Sequence, residues 1–128
     1  MIYCCGCQEE VEPRLTDGRE IYPHRLDLYD LPYWKCDRCK NYVGCQHKTK
    51  DRTKPLGCIP TLEIKKARMD IHHTLDSLWK NKGMSRTIVY NLISNYIGKR
   101  YHTAEIRSMK EARSIHSFIN ELSKGLEE

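Results

Sequence analysis

The feature that most constrains this chain is a pair of C-x-x-C motifs, Cys4 with Cys7 and Cys36 with Cys39, separated by 28 residues. Two residues between cysteines let one tight turn aim both sulfurs at the same ion, while backbone N–H groups of the turn donate to those sulfurs. Two such turns complete a tetrahedron. The spacing therefore predicts one zinc ion bound by four thiolates: Cys4, Cys7, Cys36 and Cys39.

The alternative is a disulfide scaffold, and three observations favour metal. The chain has seven cysteines, an odd number; four of them fall into the two motifs; and the first ten residues have neither the charged start nor the apolar run of an export signal. No stretch approaches the roughly 18 apolar residues of a membrane helix. We therefore expect free thiols and a soluble, cytoplasmic protein.

The other cysteines leave some choices open. Cys5 competes with Cys4 for the first turn, although the two-residue spacing at Cys36 and Cys39 favours Cys4. A second site is conceivable from four more residues, but their spacing fits no zinc turn, so buried cysteines and satisfied histidines are the expectation for Cys45, His47, Cys58 and His24.

Composition predicts a metal-dependent N-terminal half. The 128 residues have a mean hydropathy of −0.71, and residues 1–58 contain few large aliphatic side chains. Such a chain forms one compact unit or two very small ones, which excludes a large multidomain enzyme. Zinc bound by four thiolates contributes on the order of 10 kcal/mol or more to the free energy of folding. This contribution offsets the loss of chain entropy on folding, which so small a hydrophobic core cannot offset alone.

The strand pattern between and after the cysteine pairs is typical of a zinc ribbon. Residues 12–15 and 20–22 flank a turn in which we expect Gly18 to supply a positive φ, so the two segments are predicted to form a hairpin. Residues 31–35 and 42–45 supply two further strands.

From residue 60 the hydrophobic period changes to that of helices. One helix is predicted from after residues 60–61 to 82–83, a second from an N-cap at Ser85 to Gly98, and a third from an N-cap at Thr103 to Gly125. The predicted fold is therefore α+β: a small N-terminal β zinc ribbon, residues 1–58, packed on a C-terminal three-helix unit, residues 59–128.

Positive charge is concentrated beside the second cysteine pair. Residues 35–54 hold seven basic and two acidic residues, a net charge of +5, next to the aromatic residues Tyr33, Trp34 and Tyr42. Phosphate-seeking charge beside aromatic surface is typical of nucleic-acid-binding modules. The predicted contacts are Lys35, Arg38, Lys40, Lys48, Lys50, Arg52 and Lys54. The alternative is that these cations only neutralise the thiolates, since a zinc tetrathiolate carries a charge of −2.

Several segments follow one another in a recognisable order: Cys4-x-x-Cys7, Glu20-Ile21-Tyr22, Tyr33-Trp34-Lys35-Cys36-Asp37-Arg38-Cys39, Tyr42-Val43-Gly44-Cys45, Lys54-Pro55-Leu56-Gly57, Leu75-Asp76-Ser77-Leu78-Trp79 and Met84-Ser85-Arg86. Together they resemble a family of zinc-finger-containing domains of unknown function found in bacteria and their phages. The resemblance spans nearly the whole chain and implies zinc and a two-part layout. The chain departs from the family pattern at Gln8, which replaces a glycine, at Gln46, which is inserted before His47, and at His102-Thr103-Ala104.

No catalytic constellation is visible in the sequence. His72 and His73 are the one tempting pair, but adjacent residues on a helix point about 100° apart and cannot share a metal. We therefore expect a zinc-binding, non-enzymatic protein without a small-molecule substrate or a membrane partner. It is predicted to bind nucleic acid through the basic residues of segment 35–54. The alternative is a phage- or prophage-type protein-interaction module, an inhibitor or adaptor of a host or defence complex.

Overall fold

A computed structural model of the chain describes the backbone of residues 1–127 and the side chains of residues 1–125. Backbone contacts divide the chain into two compact units, Met1–Leu62, here called the ribbon unit, and the helical unit from Glu63 onward. Small antiparallel sheets build the first unit and three long helices the second, so the fold class is α+β, as predicted. None of the described helices is both long and apolar enough to cross a membrane.

A short hairpin opens the ribbon unit. Strands β1 (Ile2–Cys4) and β2 (Glu9–Val11) pair antiparallel, with Cys4 opposite Glu9. The first C-x-x-C turn is the connection between them. The buried Ile59 ties the far end of the unit to this hairpin: the N–H of Cys5 donates to the Ile59 carbonyl at 2.8 Å, and the N–H of Ile59 donates to the Tyr3 carbonyl at 2.9 Å.

A second, three-stranded antiparallel sheet follows. Its strands are β3 (Arg14–Asp17), β4 (Pro32–Lys35) and β5 (Tyr42–Gly44), in the order β3-β4-β5. The predicted hairpin between residues 12–15 and 20–22 is wrong. The chain instead enters a single helical turn, α1 (Gly18–Ile21), because the Asp17 side chain caps it by accepting from the N–H of Arg19 at 2.9 Å. Strand β3 therefore pairs with β4, across an intervening excursion that includes a 3-10 turn at Leu26–Leu28.

Gly18 has a different role from the one predicted. Its φ is not positive. It must be glycine because the Leu28 carbonyl oxygen lies 1.8 Å from where a Cβ would stand, a distance that no side chain tolerates. The N–H of Gly18 donates to the Leu31 carbonyl at 3.1 Å, which holds the excursion closed at the point where it returns to the sheet.

The helical unit is built from helices α2 (Leu62–Asn81), whose first residue is the last of the ribbon unit, α3 (Arg86–Ile97) and α4 (Met109–Glu127). The first two match the predicted bounds, and Gly98 ends α3 with a φ of 77°. Both predicted ends of the third helix are wrong. Thr103–Glu105 forms a 3-10 turn, after which Ile106 is extended, so the helix begins only at Met109. Gly125 lies within the helix, whose hydrogen-bonding pattern continues past it.

Each unit has its own buried cluster of side chains. In the ribbon unit it consists of Cys4, Val11, Cys36, Val43 and Ile59, against which Ile2, Cys7, Trp34 and Cys39 pack. Three of these nine residues are aliphatic and buried, which agrees with the thin core expected from composition. The helices bury long aliphatic side chains that include Ile71, Leu75, Leu78, Val89, Ile93, Ile115 and Ile119.

Candidate metal centre and basic loop

The structure brings the four sulfurs of the two C-x-x-C motifs into one group. The Sγ atoms of Cys4 and Cys39 lie 3.3 Å apart, those of Cys7 and Cys36 lie 3.7 Å apart, and all four lie within 4.8 Å of one another. Cys4 and Cys36 are buried, whereas Cys7 and Cys39 are partly exposed. Each motif thus contributes one inner and one outer sulfur.

This geometry fits zinc. A tetrahedral ion with Zn–S bonds of about 2.3 Å places its sulfur ligands about 3.8 Å from one another. The separation of 3.7 Å between Cys7 and Cys36 matches that value, and the separation of 3.3 Å between Cys4 and Cys39 is somewhat shorter. Four sulfurs with no carboxylate or imidazole among them also suit zinc better than a hard cation such as magnesium or calcium. These four residues would hold the ion, which would link β1, β4 and their connecting turns.

Backbone N–H groups in both turns donate to the inner sulfurs, as the spacing predicts. Burial raises the pKa of the Cys4 thiol to about 12, although the N–H groups of Cys7 and Gly6 act in the opposite direction. Burial also opposes ionisation of Cys36, but the N–H groups of Cys39 and Arg38, together with the sulfurs of Cys39 and Cys7, lower its pKa to about 7. These contacts favour the thiolate, which is the form of cysteine that binds a metal ion.

The two turns approach each other closely at Gly6. A Cβ at this position would lie 2.7 Å from the Asn41 side-chain nitrogen and 3.3 Å from the sulfur of Cys39. The Asn41 amide ends a flexible side chain and can turn away, but the Cys39 sulfur would have to give by a few tenths of an ångström. Glycine at residue 6 therefore lets the two turns approach without disturbing the sulfur cluster.

The remaining cysteines lie outside the cluster. The sulfurs of Cys5 and Cys58 are 3.8 Å apart and buried, and burial raises the pKa of the Cys45 thiol. His47 lies with its Nδ1 3.4 Å from the Cys45 carbonyl oxygen, and His24 is exposed. Within residues 1–125 the four-sulfur group is the one cluster of three or more metal-ligating side chains.

Two of the seven basic residues singled out from sequence are occupied by carboxylates. Lys35 donates to Glu20 at 2.6 Å and its side chain is only 17% exposed; Arg38 donates to Glu9 at 2.5 Å. Glu20 also accepts both terminal nitrogens of Arg14, which in turn holds Asp37. The Arg14 guanidinium, together with Lys35 and Thr16, keeps the pKa of Glu20 well below its usual range.

Sequence reasoning missed the role of Arg14. Its partners lie 6 and 23 residues away, on α1 and in the second zinc turn, so no local pattern marks the network. The network changes what residues 35–54 can offer to a ligand. Lys35 is neutralised by Glu20 within the protein. Lys40 is exposed at the end of the second turn and makes no ion pair within the described residues.

The other four cations lie on an ordered loop, residues 46–54, which we call the basic loop. The N–H of Gln46 donates to the Lys54 carbonyl at 2.8 Å and closes the loop at its base, and the N–H groups of Thr49 and Lys54 donate to carbonyls inside it. Trp34 braces it from β4, with its Nε1 donating to the Thr53 carbonyl at 2.7 Å. The loop is thus held in one shape by backbone hydrogen bonds.

The side chains of the basic loop point outward. Its four cations are exposed, namely Lys48, Lys50, Arg52 and Lys54. Arg52 donates to the Asp30 carbonyl at 2.6 Å, which leaves its charge uncompensated. Within the described part of the chain, none of the three lysines makes an ion pair. With Asp51 as the one acidic residue, four cations and one anion give the loop a net charge of +3.

Comparison with known proteins gives one match. A family model described as a zinc-finger-containing domain matches residues 1–122, which includes both cysteine pairs, the basic loop and most of α4. No curated protein and no solved structure matches the chain.

Proposed function

Since this chain belongs to the zinc-finger-containing domain family, we propose that its zinc holds the ribbon unit in shape and that the basic loop binds nucleic acid. The zinc-binding part rests on the four-sulfur cluster. The nucleic-acid part rests on the loop, and the rest of this section gives its support.

The observation that carries the proposal is the ordered basic loop with a net charge of +3 and three lysines that make no ion pair within residues 1–125. Cations that stabilise a fold are normally paired with carboxylates, as Lys35 and Arg38 are here. Exposed, like-charged side chains on one short loop repel one another, and binding an anion relieves that repulsion. A phosphate backbone supplies such anions at regular spacing.

We also propose that the zinc takes no part in a reaction. Four cysteine ligands leave no open coordination position for water or substrate, and a zinc of this kind contributes folding energy. This supports a binding protein over a hydrolase. Strand β4 connects the zinc site to the basic loop. It leads directly into Cys36, and its Trp34 donates a hydrogen bond to the Thr53 carbonyl of the loop.

The test is the salt dependence of binding. The probe is a fluorescently labelled 20-nucleotide DNA of mixed sequence, single-stranded and as a duplex, titrated with the zinc-loaded full chain at several salt concentrations. We expect affinity to fall steeply with salt, with a log–log slope of about −0.9 per neutralised phosphate on the duplex and about −0.7 on the single strand. Replacing Lys48, Lys50 and Lys54 together by alanine should reduce that slope by about two to three on the duplex.

A matched variant controls for net charge. It replaces three exposed lysines of the helical unit, Lys66, Lys82 and Lys110, by alanine. We expect this variant to keep most of the slope and all of the zinc. If both triple variants weaken binding equally, the loop is not the site. If neither form of DNA nor the matching RNA binds at low salt, the proposal is wrong, and the protein-interaction module becomes the better hypothesis.

A further inference from the structure

An open cavity of about 420 Å³ lies in the ribbon unit, lined by Met1, Ile2, Glu12, Pro13, Trp34 and Pro55. Its volume falls within the range of about 300–1,000 Å³ that is usual for small-molecule sites. The lining is mainly apolar, with one aromatic ring, two prolines and one carboxylate.

The cavity is joined to the basic loop through two residues. Pro55 follows Lys54 directly in the chain, so the loop ends where the cavity begins. Trp34 lines the cavity while its Nε1 donates to the Thr53 carbonyl at 2.7 Å, and it also packs against the buried cluster of the unit. The indole is therefore held in one orientation. Its only polar atom, Nε1, already donates to a backbone carbonyl, so the ring offers a ligand its apolar surface.

The chemistry of the lining selects the part of a nucleic acid that fits. The carboxylate of Glu12 disfavours a phosphate, while the indole and the prolines offer apolar surface to a flat ring. Bases stack on aromatic side chains irrespective of sequence, because every base has a π-face. The Glu12 carboxylate, as part of the lining, can accept hydrogen bonds from the N–H groups on a base edge.

We infer that this cavity takes one unpaired base, stacked on Trp34, of a single-stranded nucleic acid whose phosphates lie along the basic loop. The inference rests on the proposed function and adds the substrate class: single strands, in preference to duplexes. In a duplex the bases are already paired and stacked inside the helix, so none can enter the cavity unless it is first unstacked.

The experiment uses the fluorescence of Trp34 in the full, zinc-loaded chain. Trp79 is the second tryptophan, and Trp79→Phe leaves Trp34 as the sole indole while keeping an aromatic ring against Tyr90. This variant is titrated with a ten-nucleotide single-stranded DNA, with the same strand in which every base is replaced by an abasic residue, and with the duplex. The abasic strand keeps the phosphates and lacks the rings.

The normal single strand is expected to quench Trp34 fluorescence and to bind about 10-fold more tightly than the abasic strand. The duplex is expected to bind without quenching. In a second pair of variants, Trp34→Leu should lower the affinity of the normal strand to that of the abasic strand, whereas Trp34→Phe should retain most of the difference. Zinc content checks that both variants are folded, and the quenching comparison decides the question if Trp34→Leu fails to fold.

Two failures are distinguishable. Equal binding of normal and abasic strands, with no quenching by either, overturns the base-binding cavity; the proposed function still stands if the Lys48, Lys50 and Lys54 triple variant weakens both strands. Absence of binding by every strand at low salt overturns the proposed function, and the cavity inference with it.

Discussion

Gln8 and Lys40 occupy equivalent positions in the two zinc turns, and both have a left-handed backbone. Each directly follows the second cysteine of its motif, with φ of 58° and 68° respectively. The N–H of Gln8 donates to the Cys4 carbonyl and that of Lys40 to the Cys36 carbonyl, both at 2.7 Å. A residue with a Cβ pays about 1–2 kcal/mol for this conformation, so both turns are built with strained residues where glycine would be relaxed.

We therefore expect Gln8→Gly to raise the free energy of unfolding of the zinc-bound protein by up to about 1 kcal/mol, since the greater flexibility of glycine in the unfolded chain offsets part of the relief. Gln8→Ala is the control, because it shortens the side chain and keeps the Cβ. The measurement is denaturant unfolding at fixed zinc concentration. Equal stability of the glycine and alanine variants would contradict the argument.

The metal ligands can be separated from their neighbour in the first turn. We expect Cys36→Ser to lose the metal, with less than half an equivalent of zinc per chain by elemental analysis, because three thiolates cannot complete the tetrahedron. Cys5→Ala should keep a full equivalent, since the Cys5 sulfur faces that of Cys58 at 3.8 Å and lies outside the four-sulfur group. If the Cys5 variant loses its zinc, Cys5 is a ligand and the assignment of Cys4 to the first turn is wrong.

Two serines that precede helices should differ in their contribution to stability. Ser108 accepts the N–H of Glu111 with its side-chain oxygen at 3.1 Å, at the start of α4. Ser85 stands at the N-cap of α3 without a side-chain capping bond. We expect Ser108→Ala to cost about 1 kcal/mol and Ser85→Ala much less. The loss of helical circular dichroism in denaturant measures both, and equal effects would show that the capping bond carries no energy.

Tyr101 should make the helical unit sensitive to alkali. Burial raises the pKa of its hydroxyl to about 12, and that hydroxyl lies 2.6 Å from the oxygen of Thr103. A pKa raised in the folded state stabilises the protein fully below the unfolded value of about 10, and this contribution is lost as the pH rises from there through the folded value.

At neutral pH we expect Tyr101→Phe to cost about 1–3 kcal/mol, because Thr103 loses its partner in a buried position. The difference in the free energy of unfolding between the unmodified protein and this variant should narrow as the pH rises from 10 toward 12. The unmodified protein loses the contribution of the Tyr101 hydroxyl over this range, whereas the variant has no hydroxyl at residue 101 to ionise. Helix unfolding followed at pH 7, 10 and 11 tests this. The exposed Tyr96 provides the control, Tyr96→Phe, which should leave the alkaline loss unchanged.

Local signals were sufficient for a large part of this protein. The two C-x-x-C spacings encode turns that close within five residues, and the structure brings their sulfurs together. Helices α2 and α3 were predictable because their apolar periodicity runs over three turns or more and their ends carry proline, serine and glycine. The start of the third helix could not be predicted in this way, because Thr103 begins a 3-10 turn and the chain is extended at Ile106 before α4 begins.

Tertiary structure decided the rest, because it depends on pairs of residues far apart in the chain. Asp17 and Gly18 are typical of a hairpin turn, but in the structure Asp17 caps a helical turn. Glycine is needed at residue 18 because the Leu28 carbonyl oxygen lies 1.8 Å from where a Cβ would stand. Charge counting over residues 35–54 cannot tell that Glu20 neutralises Lys35, or that the lysines of the basic loop have no such partner within the described residues. A sequence determines which charges and sulfurs exist and how local turns aim them; only the folded chain determines which of them remain available to a ligand.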